Sequence, residues 1–195
     1  LNKYMTDSIK YSLAALGLII LLFLYNSSSQ KSLEMDGQAI FNGSEEEVFR
    51  IKLSEDKKEI ELIKTDTTWS FSNSDSLVVK ENQVDKIFDR LLKVEKEILI
   101  TSKEEKWEKF GVDDSLARHI TVYDENDNEI LHYLFGNSGQ DWQHNYIRKH
   151  GSSDVYRTND NVFFLLNTNS TYWGKKPPEP KPTVDPDSTA SINTQ

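Results

Sequence analysis

Short segments in which every second residue is apolar alternate along the chain with segments that have an apolar residue every three or four positions. The first of these patterns predicts three successive strands, centred on residues 49–53, 60–62 and 69–71. The polar sequence SEDKK between the first two strands is suited to a tight antiparallel connection. We therefore expect this part of the chain to form an antiparallel meander.

Apolar residues then recur every three or four positions between residues 84 and 92. This spacing predicts an amphipathic helix over residues 82–96 that directs one face to the core. Asn82 is suited to the N-cap of this helix, because its side chain can accept a hydrogen bond from the first turn.

A second, shorter helix is predicted in the sequence TSKEEKWEKFG. Ser102 precedes Glu105 by three positions, which is the spacing of a capping box. Gly111 is suited to end the helix, since glycine readily adopts the left-handed conformation of a C-terminal cap. We expect this helix to bury Trp107 and Phe110.

Strand patterns return in the second half of the chain. The sequence RHITVYDENDNEILHYLFG predicts a hairpin, and NYIRKHGSSDVYRT predicts another that turns at Gly151. The inner face of the first hairpin is expected to carry Ile120, Val122, Ile130 and Leu134. The sequence NDNVFFLLN predicts a brief apolar helix that ends near Trp173. Hairpins before and after two or three short helices indicate an α+β fold with antiparallel strands.

The distribution of proline separates the folded part of the chain from its ends. All five prolines lie between residues 177 and 186, and none occurs in the residues expected to form the core. The predicted segments are a cytoplasmic N-terminus (1–10), a transmembrane anchor (11–27), a linker (28–45), an extracytoplasmic α+β domain (46–174) and a Pro-rich extended tail (175–195).

A run of apolar residues near the N-terminus predicts a single transmembrane helix. Residues 11–25 include only Ser12 and Gly17 as members that are not apolar. A helix of that length spans about 22 Å, so the ~30 Å hydrocarbon core is crossed if the helix covers residues 7–27 and Lys10 reaches the interface. The residues assigned to the membrane anchor are Tyr11, Leu13, Leu16, Leu18, Ile19, Ile20, Leu21, Leu22, Phe23, Leu24 and Tyr25.

The charges before this run indicate the orientation. Lys3 and Lys10 favour a cytoplasmic N-terminus, although Asp7 weakens the bias, so we expect a single-pass protein of the bacterial cytoplasmic membrane. A cleaved signal peptide is the alternative, because a short apolar run after positive residues also describes one. Ser27 and Ser29 are small enough to flank a cleavage site, but there is no A-x-A sequence, and this favours the anchor.

Net charge and cysteine content exclude several classes of protein. The formal charge is −9, with 32 acidic and 23 basic residues, which argues against a nucleic-acid partner. The chain has no cysteine, so disulfides, cysteine-based zinc sites and thiol catalysis are excluded.

Patterns of catalytic or metal-binding residues are weak. His144 and His150 are close in sequence and His132 lies on a neighbouring predicted strand, but no HxH or HExxH motif is present, so we predict no metal. The sequence DENDNE departs from a calcium loop at Glu129 and Phe135, and a hairpin turn explains it better. No serine elbow and no glycine-rich phosphate loop occur, so we predict no catalytic residue and no cofactor.

Two features predict contacts with partner proteins. Trp142 lies in the polar sequence QDWQHN, where an indole has no obvious internal partner. The tail favours an extended, polyproline-like path that can lie along another protein. Its candidate contact residues are Pro177, Pro178, Pro180 and Pro182.

The order of the motifs DTTWSFS, a V-x-x-I-F-x-x-L-L helix, KFGV, a strand ending in FG, NYIR, DVYRT and a last Trp resembles the bacterial family DUF4340. The resemblance implies an N-terminal membrane helix followed by an extracytoplasmic α+β domain, often encoded beside ABC-type export or gliding-motility components. It implies no catalytic residue. Asn73 and Ser115 stand near positions where the family usually has Pro, and Phe110 stands where Tyr is usual. These differences affect the expected geometry of the turns more than the expected fold.

These observations lead us to expect a non-enzymatic, membrane-anchored accessory or scaffold subunit of a larger bacterial envelope complex. Its expected partners are membrane lipid and other subunits, with ABC-type transporter components among the candidates. The alternative is an extracytoplasmic ligand-binding module that serves an ABC-type export or gliding-motility system.

Overall fold

The structure, a computed structural model, describes residues 7–31, 34–73, 76–137 and 142–178. The α-helices in these residues are α1 (Asp7–Lys31), α2 (Glu81–Lys86), α3 (Trp107–Phe110) and α4 (Ser170–Trp173). The strands are β1 (Glu34–Ala39), β2 (Arg50–Glu55), β3 (Lys58–Thr65), β4 (Thr68–Phe71), β5 (Val78–Val79), β6 (Glu95–Thr101), β7 (Arg118–Tyr123), β8 (Glu129–Gly136), β9 (Tyr146–Lys149), β10 (Val155–Thr158) and β11 (Gly174–Lys175).

Most of the strands belong to one antiparallel sheet. Its order is β1-β6-β10-β9-β8-β7-β2-β3-β4, while β5 pairs separately with β11. The predicted meander is confirmed, because β2, β3 and β4 are neighbours in sequence order. The two predicted hairpins are confirmed as β7–β8 and β9–β10. The described residues therefore have the expected α+β fold of antiparallel strands with a few short helices.

One face of the sheet packs against the helical segments 81–92 and 162–173. Apolar side chains of β2 and β7 alternate with polar ones, so Ile51 and Ile120 both point into this interface. The helical segments contribute Val84, Ile87, Leu91, Leu92, Val162, Leu165, Leu166 and Trp173 to the same core. The single helix predicted from NDNVFFLLN to near Trp173 is instead a 3-10 turn (Phe163–Leu165) and a separate helix, α4, that ends at Trp173. The indole N–H of Trp173 donates to the carbonyl of Asn167 at 2.6 Å. Each such large side chain contributes about 2–3 kcal/mol through burial.

The opposite face of the sheet carries a second, smaller group of buried residues. Val112, Ala117, Leu134 and Val155 are buried but do not belong to the main core. Leu134 alternates along β8 with two residues of the main core, so its side chain points to the other face. Leu134 was predicted on the inner face of the hairpin. The residue is buried as expected, but on the opposite face of the sheet from the one predicted.

The predicted position of Ile130 in the same hairpin is also wrong, because the strand register shifts between Val122 and Tyr123. Val122 pairs with Leu131 and Tyr123 pairs with Glu129, which leaves Ile130 as an extra residue on β8. Ile130 is 39% exposed and does not belong to the core, so its predicted inward position is wrong. The alternating pattern could not reveal this shift, because the extra residue of the bulge reverses which positions of β8 point inward.

The helix predicted over residues 82–96 is shorter than expected. It begins at Glu81, continues after α2 as a π-helical turn (Ile87–Leu91) and stops before Glu95, where β6 begins. The predicted N-cap at Asn82 is wrong, because Lys80 occupies that position without a side-chain capping bond. The helix ends earlier than predicted because the residues from Glu95 onwards form β6, which pairs with the distant strands β1 and β10.

The short helix α3 is confirmed, but its predicted capping box is not. The preceding 3-10 turn (Glu104–Lys106) has Lys103 as its N-cap, without a side-chain bond. A capping-box contact forms elsewhere, where the backbone N–H of Ser44 donates to the Glu47 carboxylate at 3.2 Å. Gly111 ends α3 with φ +64°, as predicted. Trp107 and Phe110 are half-buried rather than fully buried.

The segment 28–45, expected to be a linker, contains regular structure. The end of α1 and the strand β1 lie within it, and β1 pairs with β6 at an edge of the sheet. Its sequence EMDGQA has no alternating apolar pattern, so the strand was not predicted.

The N-terminal helix is confirmed as α1, which extends beyond the predicted apolar run at both ends. The side chains of the predicted anchor residues from Tyr11 to Leu24 are 49–76% exposed. Within the described part of the chain, no helix has both the length and the apolarity that crossing a membrane requires.

Candidate functional site

Three of the four histidines of the chain meet on the sheet face opposite the main core. His119 of β7 and His132 of β8 point to this face because successive side chains of a strand alternate, and their neighbours Ile120 and Leu131 point into the core. His150 follows β9, and its backbone N–H donates to the His132 carbonyl at 3.0 Å. We call His119, His132 and His150 the histidine cluster.

The rings of the histidine cluster are in direct contact. His119 Nδ1 lies 3.2 Å from His132 Nε2, and His119 Nε2 lies 3.3 Å from the carbonyl oxygen of Asp114. The rings of His132 and His150 stack, with centroids 4.2 Å apart and an interplanar angle of 15°. Glu129 adds a carboxylate oxygen 3.6 Å from His132 Nδ1. One ligand atom each of Glu129, His132 and His150 lies within 4.8 Å of the others.

Burial and mutual repulsion lower the pKa values of two members of the cluster, His132 and His119. The pKa of His132 is lowered to about 4, first by burial and then by the positive charge that His150 and His119 would present. The pKa of His119 is also lowered, mainly by burial. Both imidazoles are therefore neutral at pH 7, which leaves one nitrogen of each as a lone-pair acceptor.

Arg148 fixes the segment after α3 beside the histidine cluster. Its side chain is 2% exposed, and its Nε donates to the Val112 carbonyl at 2.9 Å. Its second guanidinium nitrogen forms a 2.7 Å ion pair with the Asp114 carboxylate, and the guanidinium carbon lies 3.7 Å from the Trp107 ring centroid. Asp114 therefore contacts both Arg148 and, through its carbonyl, His119.

Two surface clefts in the described residues are rich in carboxylates. The first, of about 390 Å³, is lined by Glu104, Glu105, Trp107, Glu108, Asp113, Ser115 and Leu116. The second, of about 370 Å³, is lined by Glu46, Glu47, Phe49, Asp124, Glu125, Asn126 and Ile130. Both linings combine carboxylates with apolar side chains, so the clefts suit cationic rather than anionic groups.

The sequence DENDNE forms the predicted hairpin turn between β7 and β8. The Asp124 carboxylate accepts hydrogen bonds from the backbone N–H groups of Asn126 and Asn128, at 2.9 and 2.8 Å. Asp127 adopts a left-handed conformation with φ +65°. These local bonds are those of an Asx turn.

Trp142, predicted to contact a partner, lies on the surface. Its side chain is 72% exposed, and its backbone has φ +57°, an uncommon conformation for an aromatic residue. The Asn161 side-chain amide donates to the Trp142 carbonyl at 2.9 Å and holds this conformation. The exposure is the property that the prediction requires. Contact with a partner stays a prediction.

Pro177 and Pro178 are exposed and lie shortly after β11, separated from it by Lys176. Pro180 and Pro182 lie outside the described residues, as do the surroundings of the Tyr25 side chain. Of the residues whose side chains are described, neither Pro177 and Pro178 nor the anchor residues from Tyr11 to Leu24 belong to the histidine cluster.

The sequence interpretation named His132 and His150 but did not include His119. A signal was present for His119, which falls on the polar phase opposite Ile120, but the predicted phase of β8, with Ile130 and Leu134 inward, directed His132 to the inner face. Their contact depended on the strand register, which the sequence alone did not give.

A sheet of antiparallel strands with one helical layer, preceded by an exposed apolar helix, defines the class of this protein as an α+β domain with an N-terminal helix. The chain belongs to the family described as Domain of unknown function (DUF4340), whose model matches residues 69–193, more than half of its length. The resemblance found in the sequence motifs is thereby confirmed. The matched range begins at Trp69, so β2 and β3 lie outside it although they pair within the same sheet. Comparison with curated proteins and with solved structures gives no match.

Proposed function

We propose that this protein is a non-enzymatic accessory or scaffold subunit of a larger bacterial envelope complex, held at the cytoplasmic membrane by α1. The observation that carries the proposal is the exposure of every predicted anchor side chain from Tyr11 to Leu24. Such a continuous apolar surface is costly in water and marks a segment that meets lipid or another protein. The α+β domain would then lie outside the cytoplasmic membrane, with the N-terminus inside.

The length of α1 is compatible with the proposal, but its apolar section is not long enough without further adjustment. The helix has 25 residues, which corresponds to about 37 Å at 1.5 Å per residue. Its apolar section is shorter than the hydrocarbon core, so Lys10 would have to extend its amine to the interface. Local thinning of the bilayer is the other way to match a short apolar section.

Tethering provides the mechanism. A domain fixed to the membrane meets membrane partners at a high effective concentration, so each individual contact can be weak. The exposed Trp142 and the tail from Pro177 are the candidate contacts, and the carboxylate-rich clefts favour basic surfaces on a partner. Subunits of an ABC-type transporter are candidates on the basis of the family resemblance.

Cysteine labelling tests the topology sharply because the chain has no native cysteine. Single variants Thr6→Cys and Lys57→Cys would be exposed in intact cells to a maleimide that does not cross membranes. We expect labelling at residue 57 in intact cells and at residue 6 only after permeabilisation. Labelling of both residues, or of neither, in intact cells would contradict the proposed orientation.

Photo-crosslinking tests the accessory role. A photoreactive phenylalanine in place of Trp142 should give discrete crosslinked products in native membranes, and the same group at Phe164, another exposed aromatic residue, should not. Purification in mild detergent should recover the same partners. A chain that purifies alone at 22.5 kDa and gives no crosslink at residue 142 would count against a scaffold subunit.

One observation favours the alternative of a ligand-binding module. The cleft beside α3 places Trp107 and Leu116 among several carboxylates, an arrangement suited to an organic cation. Titration of the purified chain with spermidine, followed by Trp fluorescence, would test it. A saturable change that disappears in Glu108→Gln favours this alternative, and an unsaturable one removes it.

A further inference from the structure

The hydrogen bonds of the histidine cluster fix the tautomers of two rings. The Asp114 carbonyl can only accept, so His119 Nε2, 3.3 Å away, must carry a hydrogen. In a neutral ring, His119 Nδ1 is then a bare acceptor, and the Nε2–H of His132 must donate to it across 3.2 Å. It follows that Nδ1 of neutral His132 carries no hydrogen and presents a lone pair.

This lone pair of His132 faces another acceptor. The nearest carboxylate oxygen, Oε2 of Glu129, lies 3.6 Å from His132 Nδ1. Among the described residues, no hydrogen-bond donor serves this nitrogen, although it is buried. Two electron-rich atoms that face each other at this distance are stabilised by a cation between them.

The bulge in β8 brings Glu129 to this position. Without the extra residue Ile130, strict alternation would direct Glu129 and His132 to opposite faces of the sheet. Because Glu129 pairs with Tyr123 after the register shift, its side chain lies on the histidine face. Bulges of this kind commonly redirect a side chain beside a functional site.

We propose that Glu129, His132 and His150 bind one divalent late transition-metal ion, and that His119 is a positioning residue for His132. Two imidazole nitrogens and one carboxylate oxygen match the protein ligands of three-ligand zinc sites, whose fourth position is open to water or to a group from a partner. The chain Asp114 carbonyl–His119–His132 corresponds to the outer hydrogen bonds that orient metal-bound histidines.

Binding requires the ring of His150 to turn out of its stack on His132, because the nitrogen lone pairs of parallel rings do not point to a common centre. Ligand atoms around a tetrahedral zinc ion are about 3.3 Å apart, given bonds of about 2.0–2.1 Å. The ligand atoms here lie within 4.8 Å of one another, and two of the three residues, Glu129 and His150, are exposed at the surface. Their side chains can therefore move towards His132, which the sheet and His119 hold in place.

The ligand set selects the class of metal. Imidazole nitrogens suit Zn²⁺, Co²⁺, Ni²⁺ and Cu²⁺, whereas Mg²⁺ and Ca²⁺ prefer oxygen ligands and higher coordination numbers. We therefore expect the site to bind Zn²⁺ and to leave millimolar Mg²⁺ and Ca²⁺ unbound.

The test uses the full chain in non-ionic detergent, without a polyhistidine tag, after removal of metals with a chelator. Equilibrium dialysis against Zn²⁺ should give one bound ion per chain. The variants Glu129→Gln and His150→Gln alter exposed side chains, so they should fold normally and weaken binding at least tenfold. His144→Gln, the histidine outside the cluster, is the matched control and should bind as the unchanged chain does.

Two spectroscopic measurements complete the test. Bound Co²⁺ should give visible absorption of a low-coordinate site, and Zn²⁺ should shift the ¹⁵N resonance of His132 Nδ1 while its Nε2 keeps its hydrogen. His119→Ala should weaken Zn²⁺ binding and mix the His132 tautomers, whereas His119→Gln, which retains an acceptor, should largely restore both. Absence of stoichiometric binding, or binding unchanged in both Glu129→Gln and His150→Gln, would overturn the proposal. This result would leave the accessory function untouched, because that proposal does not depend on a metal.

Discussion

The guanidinium carbon of Arg148 lies over the indole ring of Trp107, 3.7 Å from the ring centroid. This contact joins β9 to α3, whose first residue is Trp107. The same guanidinium binds the Val112 carbonyl and the Asp114 carboxylate, so one buried cation holds α3 and two points of the segment that follows it. Since Asp114 also accepts from His119, Arg148 positions one end of the histidine cluster.

Arg148→Ala should therefore destabilise the fold by about 3 kcal/mol, because it removes a buried charge and leaves its acceptors unpaired. Urea unfolding of the full chain in detergent, followed by Trp fluorescence, measures this change. Arg157→Ala is the control, since Arg157 is partly exposed and pairs with Glu97 at the surface. We expect it to cost about 0.5 kcal/mol. Equal losses for the two variants would show that Arg148 does not hold the segment.

The lowered pKa of His132 predicts that the metal-free protein loses stability in acid. The unfolded chain binds a proton at this residue near pH 6.5, whereas the folded chain binds it only near pH 4. Stability is therefore complete above pH 6.5 and falls as the pH decreases towards 4, because the unfolded state binds more protons in that interval. The side chain is 16% exposed, so the loss approaches an upper value of about 3 kcal/mol.

The free energy of unfolding, measured at intervals between pH 7.5 and 4 in the presence of a chelator, tests this dependence. His132→Gln removes the titrating group and should remove most of the slope between pH 6.5 and 4. His144→Gln should retain it. A slope that persists in His132→Gln would place its origin in other groups.

The spacing of apolar residues was sufficient to predict those parts of the fold in which the contacting residues are close in sequence. The meander and both hairpins follow from alternation and turn residues, such as Gly151 with φ +76°. The failures have non-local causes. The pairing of β6 with β1 ended the predicted helix at 82–96 early, and neither strand has an alternating apolar pattern that identifies it.

The candidate site was even less accessible from the sequence. His119, His132 and His150 are brought together by three strands, so no short motif contains them. The presence of Glu129 among them depends on the bulge at Ile130, which reverses the phase of β8. The predicted alternation, with Ile130 and Leu134 on the inner face, directs His132 into the core, whereas the structure places it on the opposite face with Glu129.

Gly136 is expected to tolerate no side chain. A Cβ atom at this position would lie 1.9 Å from the carbonyl oxygen of Phe110, which belongs to the backbone and cannot rotate away. Gly136→Ala should therefore separate α3 from the end of β8 and cost about 3 kcal/mol in urea unfolding. Gly151→Ala is the matched control, because its added methyl group meets no atom within 4 Å and only the left-handed φ is strained. We expect a loss of about 1 kcal/mol there. Comparable losses would contradict the predicted close approach.

The last prediction concerns the proposed attachment of α1 to a membrane. Leu18 and Leu21 lie near the middle of its exposed apolar section, and an arginine in the centre of a membrane helix costs roughly 2.5–3.5 kcal/mol. The double variant Leu18→Arg/Leu21→Arg should therefore move from the membrane pellet to the supernatant after ultracentrifugation of lysed cells. Leu116→Arg places the same charge at an exposed leucine of the α+β domain and should stay in the pellet with the unchanged chain. Release of the unchanged chain by high salt would indicate that charge, rather than the apolar surface of α1, holds the protein at the membrane.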